Sequence, residues 1–308
     1  MKKLTFLVSL INKDTDYAQQ QALVAQQTAQ RFGAELKFLY ADNDSVTQSQ
    51  QLLQAIQTSG ARPDAIVCHP VGTGLEQVAA AACTAGIGWA ILDRKVDYLA
   101  RLRRCSKVPA FAVGLDHREI GRIQAQQMEI LLPQGGLVLY LEGHMLSPAA
   151  RELTAEMNSA KPDNIQVRTL RGNWTEESGY NAVKTWLGLA TSHRANVGLF
   201  AAHNDNMAIG AQRAIKHHIS EAERERWQAV PFTGGYSCSS KSEEWVQQGL
   251  LAASVVVTPS TGKAIEMFVR YFQEGTQPPE QTLLAASSLP SLQRLAERRT
   301  QAAAAGRS

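Results

Sequence analysis

Short apolar runs alternate along the chain with longer segments in which apolar positions recur with a helical period. The runs LTFLVSLI (4–11) and VGLFAAH (197–203) are typical of buried strands, and segment 17–32, which stops at Gly33, is typical of an amphipathic helix. Strands that alternate with helices predict βαβ units and a parallel sheet. Because the alternation begins again after residue 115, the sequence predicts an α/β protein of two doubly wound, Rossmann-like halves.

The end of the chain carries a different pattern. The run TLLAASSL (282–289) predicts one closing strand. The following residues, RLAERRTQAAAAGRS, offer no apolar face to bury. We therefore expect residues 291–308 to form a disordered tail.

Composition and charge exclude several classes of protein. The 308 residues are 44% hydrophobic and 19% charged, as in ordinary globular proteins, and the net charge of +3 lacks the clustered excess of a nucleic-acid footprint. The start, MKKLTFLVSLINKDTD, superficially resembles a signal peptide, but Thr5 and Ser9 interrupt its apolar run and no small-residue cleavage site follows. As written, the chain is expected to be cytoplasmic, or periplasmic if the natural start carries a leader. No segment reaches the ~20 apolar residues of a membrane span, so no membrane insertion is expected.

No motif of cofactor, metal or catalytic chemistry stands out. The four cysteines are far apart and form no CxxC pair, and the adjacent His203 and Asp205 lack further spaced metal ligands. The turn HPVGTG (69–74) has neither the GxGxxG pattern nor the lysine of a P-loop. The stretch GGYSCSS (234–240) has no GxSxG nucleophile elbow. We therefore expect no enzyme activity, no cofactor and no metal.

Polar residues that directly follow apolar runs are the candidates for binding, because open α/β sheets bind ligands at the carboxyl ends of their strands. Asp93 and Arg94 follow one such run and offer a carboxylate and a guanidinium to a polyhydroxylated ligand. A plain salt bridge that closes the strand is an equally good interpretation of the two residues. In HNDN (203–206), either Asn204 or Asp205 can cap the following helix. Trp174 lies on a predicted loop, where it could stack on a sugar or pack against the other half.

The segment KVDYLARLRRCSK (95–107) is the most basic part of the chain. Its interleaved apolar residues predict an amphipathic helix with a solvated face. A docking surface for an acidic partner is the alternative.

Four motifs resemble the type I periplasmic binding protein family, in its ribose-binding-protein and LacI-type sugar-binding branch. HNDNMAIGAQRAI (203–215) is similar to the NDxMAxGAxxAL signature of that branch. AILDR (90–94), LSPAARE (146–152) and LAASVVVTPSTGKA (251–264) resemble three further segments. The resemblance spans residues 4 to about 288, with the motifs in the expected order.

The resemblance implies two lobes joined by three crossover strands, with a ligand held between them by hinge closure. The N-terminal lobe would comprise residues 1–115 plus 258–290, and the C-terminal lobe residues 116–257. Asp205 would cap the helix and leave Asn204 to the ligand. The ligand-binding residues that the resemblance implies are Ser9, Asn12, Tyr17, Asp93, Arg94, Trp174, Asn204 and Thr233.

Three positions depart from the pattern of that family. Leu153, Thr233 and Val257 stand where it has an arginine, an aspartate and a glutamine or similar residue. Unpaired sugar hydroxyls are costly to bury, so the ligand is expected to be a sugar less polar than a pentose or hexose, or another small molecule.

The predicted function is a non-enzymatic solute-binding protein for a carbohydrate-like ligand, serving ABC-type uptake or ligand sensing. Its partner would be a transporter or a signalling protein. Direct DNA binding is not expected, because the first predicted strand begins at Leu4 and no helix-turn-helix precedes it. The alternatives are a cytosolic signalling module of the same fold that acts through a protein partner, and an enzyme.

Overall fold

The computed structural model describes residues 3–58, 60, 62–145, 147–192, 194–238 and 240–305. Its elements, in chain order up to the fifth strand, are β1 (Thr5–Leu10), α1 (Asp16–Phe32), β2 (Glu35–Tyr40), α2 (Ser45–Gln57), β3 (Ala65–Cys68), α3 (Glu76–Thr84), β4 (Gly88–Leu92), α4 (Leu99–Cys105) and β5 (Ala110–Leu115). The chain continues with α5 (His117–Leu131), β6 (Gly136–Glu142), α6 (Pro148–Ala160), β7 (Ile165–Arg171), α7 (Glu176–Leu187), β8 (Val197–Ala202), α8 (Asp205–His218), α9 (Glu221–Gln228) and β9 (Phe232–Thr233). It ends with α10 (Ser240–Gln247), β10 (Ser254–Val256), α11 (Ser260–Glu274), β11 (Gln281–Leu284), β12 (Ser287–Leu289) and α12 (Leu292–Ala305).

The chain folds into two compact units. Unit 1 contains Met1–Leu115 and Thr258–Leu284, and unit 2 contains Asp116–Val257 and Ala285–Ser308. Each unit has its own parallel sheet, in the order β11-β5-β4-β3-β1-β2 in unit 1 and β7-β6-β8-β9 in unit 2. The predicted fold class, α/β with two doubly wound parts, is confirmed.

Helices cover both faces of the six-stranded sheet of unit 1, which is why the inner strands β3, β4 and β5 are buried throughout, whereas the edge strands β2 and β11 have exposed positions. On one face, Leu52 of α2 and Leu102 of α4 pack against Ile66 and Trp89. On the other face, Ala25 of α1 and Phe268 of α11 join a cluster with strand residues such as Phe6. The polar groups of this unit are therefore confined largely to the ends of the strands and to the loops that follow them.

Local sequence sets the helix boundaries. Thr15, Asp116, Ser147 and Thr175 each accept a backbone N–H with their side chain at the start of a helix. Gly33, with φ 66°, ends α1 in the left-handed conformation that glycine tolerates best.

The expectation of a single strand over residues 282–289 is wrong. Gln281–Leu284 pairs in parallel with β5 in unit 1, whereas Ser287–Leu289 pairs antiparallel with β10 in unit 2. Residues 285–290 therefore belong to unit 2 and not to the N-terminal lobe. A continuous apolar run does not reveal that its two halves have different partners.

The expectation of a disordered tail is also wrong for the described residues. Leu292–Ala305 is helical, and Leu295 is only 2% exposed, with α12 lying against α5. Residues 306–308, and Leu146 of the LSPAARE motif, lie outside the described part of the chain. Helix α9, which is strongly charged, was not predicted because it lacks an apolar stripe.

Candidate functional site

Asp93 lies at the carboxyl end of β4 in a left-handed conformation. Its φ is 53°, and its backbone N–H donates to the carbonyl of Val113 (2.9 Å). A Cβ at Gly114 would come within 3.2 Å of the Asp93 Cα, so the glycine in β5 permits this close approach. Non-glycine residues adopt positive φ rarely, and they cluster where a side chain must point in a particular direction.

The carboxylate of Asp93 is held at one oxygen only. Oδ2 accepts hydrogen bonds from Tyr17 Oη (2.8 Å) and Gln21 Nε2 (3.2 Å). Oδ1 is buried and has no hydrogen-bond partner among the described residues. Burial raises the pKa of Asp93 to about 6, against the hydroxyls of Tyr17 and Ser260 and the amide of Gln21, which favour its charged form.

Gln21 in turn is oriented by the start of α11. Its Nε2 also donates to Ser260 Oγ (3.0 Å), and its Oε1 accepts from the backbone N–H of Thr261 (2.9 Å). The buried amide therefore links α1, α11 and the end of β4 within unit 1.

His69 lies beside the carboxylate, and Arg94 lies close to His69. Arg94 Nη2 donates to the carbonyl of Val71 (3.4 Å), and burial lowers the pKa of the guanidinium. His69 Nε2 is 3.9 Å from Asp93 Oδ2, while burial and the nearby Arg94 lower the pKa of His69 to about 4. At pH 7 the imidazole is therefore neutral, and Asp93 and Arg94 carry opposite charges.

Ser9 and Asn12 are engaged within unit 1. Ser9 is fully buried and accepts a hydrogen bond from Gln48 Nε2 (3.1 Å). Asn12 Oδ1 accepts from the backbone N–H of Asp14 (3.1 Å) and its Nδ2 donates to Asn43 Oδ1 (2.8 Å). Asn12 thus shapes the loop that leads into α1 and Tyr17, whereas Ser9 ties β1 to α2.

In unit 2, the expectation that Asp205 caps α8 is wrong. Asn204 is the N-cap of α8, since its Oδ1 accepts from the backbone N–H of Met207 (3.1 Å), and its Nδ2 donates to the carbonyl of Trp174 (2.7 Å). Asp205 is the first residue of α8 and is buried. The residue types alone fit either order, because both side chains are good caps.

Asp205 joins three segments of unit 2. It accepts hydrogen bonds from Ser254 Oγ (2.6 Å) and from Ser242 Oγ, and its backbone N–H donates to the carbonyl of Gly235 (3.0 Å). Burial raises its pKa to about 6, and the serine hydroxyls oppose the increase. Asp205 thus fixes the start of α8 against β10 and α10.

Trp174, which follows β7, is held from several sides in unit 2. Its φ is 64°, and a Cβ at Gly143 would lie 2.1 Å from its Cε2, so the indole rests directly on that glycine. Its ring centroid lies 5.4 Å from that of His203 and 5.3 Å from that of Tyr236. The ring remains half-buried.

His203, below the indole, is the start of a chain of hydrogen bonds. Its Nδ1 accepts from the backbone N–H of Gly143 (2.9 Å), and burial lowers its pKa to about 3. The neutral ring therefore carries its hydrogen on Nε2, which donates to Thr154 Oγ1 (3.0 Å). The Thr154 hydroxyl then donates to Glu142 Oε1 (3.0 Å).

The three positions that depart from the family pattern are buried. Leu153, Thr233 and Val257 are 0%, 1% and 3% exposed. Thr233 lies within β9, next to the Phe232 that stacks on Phe200.

Sequence reasoning missed Gln21, His69, His203 and Tyr236. Gln21 is four residues from Tyr17 on α1, so a search for polar residues on the apolar face of that helix could have found it. His69 lies in the segment 69–74 that the sequence predicts to be a turn, although it directly follows β3. Tyr236 carries no sequence signal other than its two preceding glycines.

The described residues contain no helix long and apolar enough to cross a membrane. They also contain no group of three or more histidine, cysteine, aspartate or glutamate side chains that could hold a metal ion.

The chain has two α/β units, each built on a parallel sheet with polar and aromatic side chains gathered after its strands. This arrangement is typical of a binding protein with two α/β units. The Periplasmic binding protein domain family matches residues 6–276, and the chain belongs to that family. This is a family of binding proteins and not of enzymes.

Individual relatives agree with that assignment. The chain is 26% identical over 288 residues to the galactofuranose-binding protein YtfQ of Escherichia coli (strain K12), covering 91% of this chain and 86% of that protein. The crystal structure of a galactofuranose-binding protein matches with a TM-score of 0.76 and 23% identity, over 97% of this chain and 99% of the other. The periplasmic solute-binding protein of an ABC transporter from Actinobacillus succinogenes 130z, with bound D-allose, matches with a TM-score of 0.79 and 20% identity, over 93% and 97% of the two chains. The likeness to these two structures shows the fold.

Proposed function

We propose that this protein is a solute-binding protein that binds a small, neutral, carbohydrate-like ligand, for uptake by an ABC-type transporter or for ligand sensing. Asp93 and Arg94 would bind hydroxyl groups, Trp174 would stack on the ligand, and Asn204 would hold Trp174 in place. Tyr17 would orient Asp93. The relatives named for galactofuranose and D-allose support a monosaccharide as the ligand class.

The observation that carries the proposal is the half-satisfied carboxylate of Asp93. Two side chains fix Oδ2, while Oδ1 is buried without a donor among the described residues. A buried acceptor that lacks a donor is costly, and a ligand hydroxyl would remove that cost.

The charges beside Asp93 favour a neutral ligand. The carboxylate and the guanidinium of Arg94 have opposite charges, and His69 is uncharged at pH 7 because its pKa is about 4. A phosphate or a sugar acid would place its own charge beside the buried carboxylate, at a cost that Arg94 alone would have to offset.

Ser9, Asn12 and Thr233 are left out of the proposed contacts. Ser9 and Thr233 are at most 1% exposed, and the Asn12 amide is used within its own loop. They act on the site through the loops and strands that they hold.

A thermal-shift screen tests the proposal. Neutral sugars and polyols are expected to raise the Tm of the wild type, whereas glucuronate and glucose 6-phosphate are expected to leave it unchanged. Asp93→Ala should abolish the shift, and Asp97→Ala, which changes an exposed aspartate four residues further on, should retain it. Absence of any shift with neutral sugars, or equal shifts for the wild type and Asp93→Ala, would overturn the proposal.

A further inference from the structure

His69 is a largely buried residue of unit 1 whose side chain is only partly used. It directly follows β3, where its backbone N–H donates to the carbonyl of Ser9 (2.8 Å) and its carbonyl accepts from Gln48 Nε2 (2.9 Å). The side chain is 14% exposed. Its Nδ1 is buried and has no hydrogen-bond partner among the described residues. The backbone of His69 is therefore held firmly, while one ring nitrogen lacks a partner.

The other ring nitrogen faces Asp93. His69 Nε2 lies 3.9 Å from Asp93 Oδ2, the oxygen that also accepts from Tyr17 Oη. The rings of Tyr17 and His69 meet edge to face, with centroids 6.0 Å apart and an interplanar angle of 82°. Tyr17 thus contacts both the imidazole and the carboxylate and helps to orient each of them.

The hydrogen of the imidazole is expected on Nε2. Burial and the nearby Arg94 lower the pKa of His69 to about 4, so the ring is neutral at pH 7 and carries one hydrogen. The carboxylate of Asp93 lies on the side of Nε2 and favours the tautomer with the hydrogen on that nitrogen. His69 Nδ1 is then a bare acceptor.

Two buried acceptors without a donor therefore lie on neighbouring side chains of unit 1. Asp93 Oδ1 and His69 Nδ1 both lack a hydrogen-bond partner in the described part of the chain. Unpaired buried acceptors destabilise the folded protein, and native proteins retain them mainly where function uses them. Both atoms are thus candidates for hydrogen bonds from the same ligand.

We propose that His69 is a second ligand-binding residue of unit 1, and that its Nδ1 accepts the hydrogen of a ligand hydroxyl other than the one bound by Asp93. This inference rests on the proposed function. A hydroxyl has a single hydrogen, so one hydroxyl cannot donate to Asp93 Oδ1 and to His69 Nδ1 at the same time. Unit 1 therefore selects a ligand with at least two free hydroxyl groups, and removal of either hydroxyl weakens binding.

The unliganded stability and the ligand affinity of His69→Leu test the inference. This substitution removes the unpaired acceptor and keeps a side chain of similar size, so the Tm without ligand should equal or exceed that of the wild type. Isothermal titration calorimetry uses D-allose, D-galactose, D-glucose and D-ribose as probes. Each sugar that binds the wild type should bind His69→Leu at least about tenfold more weakly. A lower Tm of the unliganded variant would assign His69 to packing and contradict the inference.

Two amide substitutions then separate the two ring nitrogens. His69→Asn places an amide acceptor near the position of Nδ1, whereas the longer side chain of His69→Gln places it near that of Nε2. His69→Asn should bind the sugar within about fivefold of the wild type, and His69→Gln should bind it as weakly as His69→Leu. The reverse order would show that His69 acts only through Asp93.

Monodeoxy derivatives of the sugar that binds identify the hydroxyl. One derivative should lose at least about tenfold in affinity for the wild type but less than about threefold for His69→Leu, because the variant no longer has the acceptor for that hydroxyl. The other derivatives should lose the same factor with both proteins. Equal losses for every derivative would contradict the inference.

The outcomes distinguish the two proposals. If a sugar binds in a manner that depends on Asp93, but His69→Leu binds it within about threefold of the wild type or His69→Asn binds it no better than His69→Gln, the inference fails while the proposed function stands. If none of the four sugars binds, or if Asp93→Ala binds as well as the wild type, the proposed function fails and the inference fails with it.

Discussion

The hydroxyl of Tyr17 donates a 2.8 Å hydrogen bond to Asp93 Oδ2 and joins α1 to the end of β4 across 76 positions of the chain. Together with Gln21 it fixes one oxygen of the carboxylate, while the other oxygen has no hydrogen-bond partner in the described part of the chain. Asp93 is thus oriented before any ligand arrives, so less ordering has to accompany binding.

The first prediction concerns pH. The pKa of Asp93 is raised to about 6 by burial, and the carboxylate is the form that accepts two ligand hydrogens. Binding therefore favours the deprotonated group, and affinity should be highest above pH 7 and fall as the pH drops through 6. Because each pH unit below the pKa lowers the charged fraction about tenfold, affinity should be about tenfold lower at pH 5 than at pH 7.

The groups around Asp93 do not reproduce this dependence. Tyr17 and Gln21 contact Oδ2, Arg94 stays charged, and His69, with a pKa of about 4, titrates below this range. Calorimetry of Asp93→Asn between pH 5 and 7.5 is the control and should show little change in its residual affinity. A wild-type affinity that rises on acidification would contradict the prediction.

The second prediction concerns the glycine beneath the indole. Gly143→Ala places a Cβ 2.1 Å from Trp174 Cε2, so the ring has to move. We expect ligand affinity to fall at least tenfold, with a loss of stability of about 1–3 kcal/mol from overpacking. Gly74→Ala is the matched control, because nothing lies within 4 Å of its added Cβ. If Gly143→Ala retains full affinity, Trp174 is not a ligand contact.

The third prediction concerns the hydrogen bonds among His203, Thr154 and Glu142. Thr154→Val preserves the shape of the side chain but removes the hydroxyl that both neighbours use. Urea denaturation should show a loss of about 1–3 kcal/mol, the cost of leaving buried polar groups unpaired. Thr154→Ser keeps the hydroxyl and should lose less. A larger loss for Thr154→Ser than for Thr154→Val would show that the methyl group, and not the hydroxyl, matters.

The fourth prediction concerns the end of the chain. Leu295→Ala removes a side chain that is 2% exposed between α12 and the body of unit 2, and it should cost about 2–5 kcal/mol. Ala296→Ser changes the exposed neighbour and should stay within about 0.5 kcal/mol of the wild type. Indistinguishable denaturation curves for Leu295→Ala and the wild type would restore the expectation of a disordered tail.

Much of the fold follows from the sequence, because apolar runs and helical periods are set by burial of each element on its own. The predicted strands around Phe6 and Phe200 and the predicted helix of Ala18 and Ala25 are present. The pairing of the strands does not follow from the sequence in the same way. Leu283 and Ser288 stand in one apolar run, yet they pair with different strands in different units.

The candidate site is less accessible to sequence reasoning. The predicted strand ends indicated Asp93 and Arg94 as candidates. The local sequence does not distinguish Asn204 from Asp205 as the N-cap, since either side chain has an oxygen that can accept from the first backbone N–H groups of the helix. The choice depends on Ser242 and Ser254, which are distant in sequence and provide hydroxyls for Asp205. Tyr236 is defined by its contacts with Trp174 and His117, and no spacing in the sequence encodes them.

The measurement that tests the central claim most directly is calorimetric titration of the wild type and Asp93→Asn with the sugar that gives the largest thermal shift. We expect the wild type to bind one equivalent and Asp93→Asn to bind at least about 30-fold more weakly, since the amide offers one acceptor and misplaces a donor. Asp97→Asn should match the wild type. Equal affinities for Asp93→Asn and the wild type would contradict the claim that Asp93 binds the ligand.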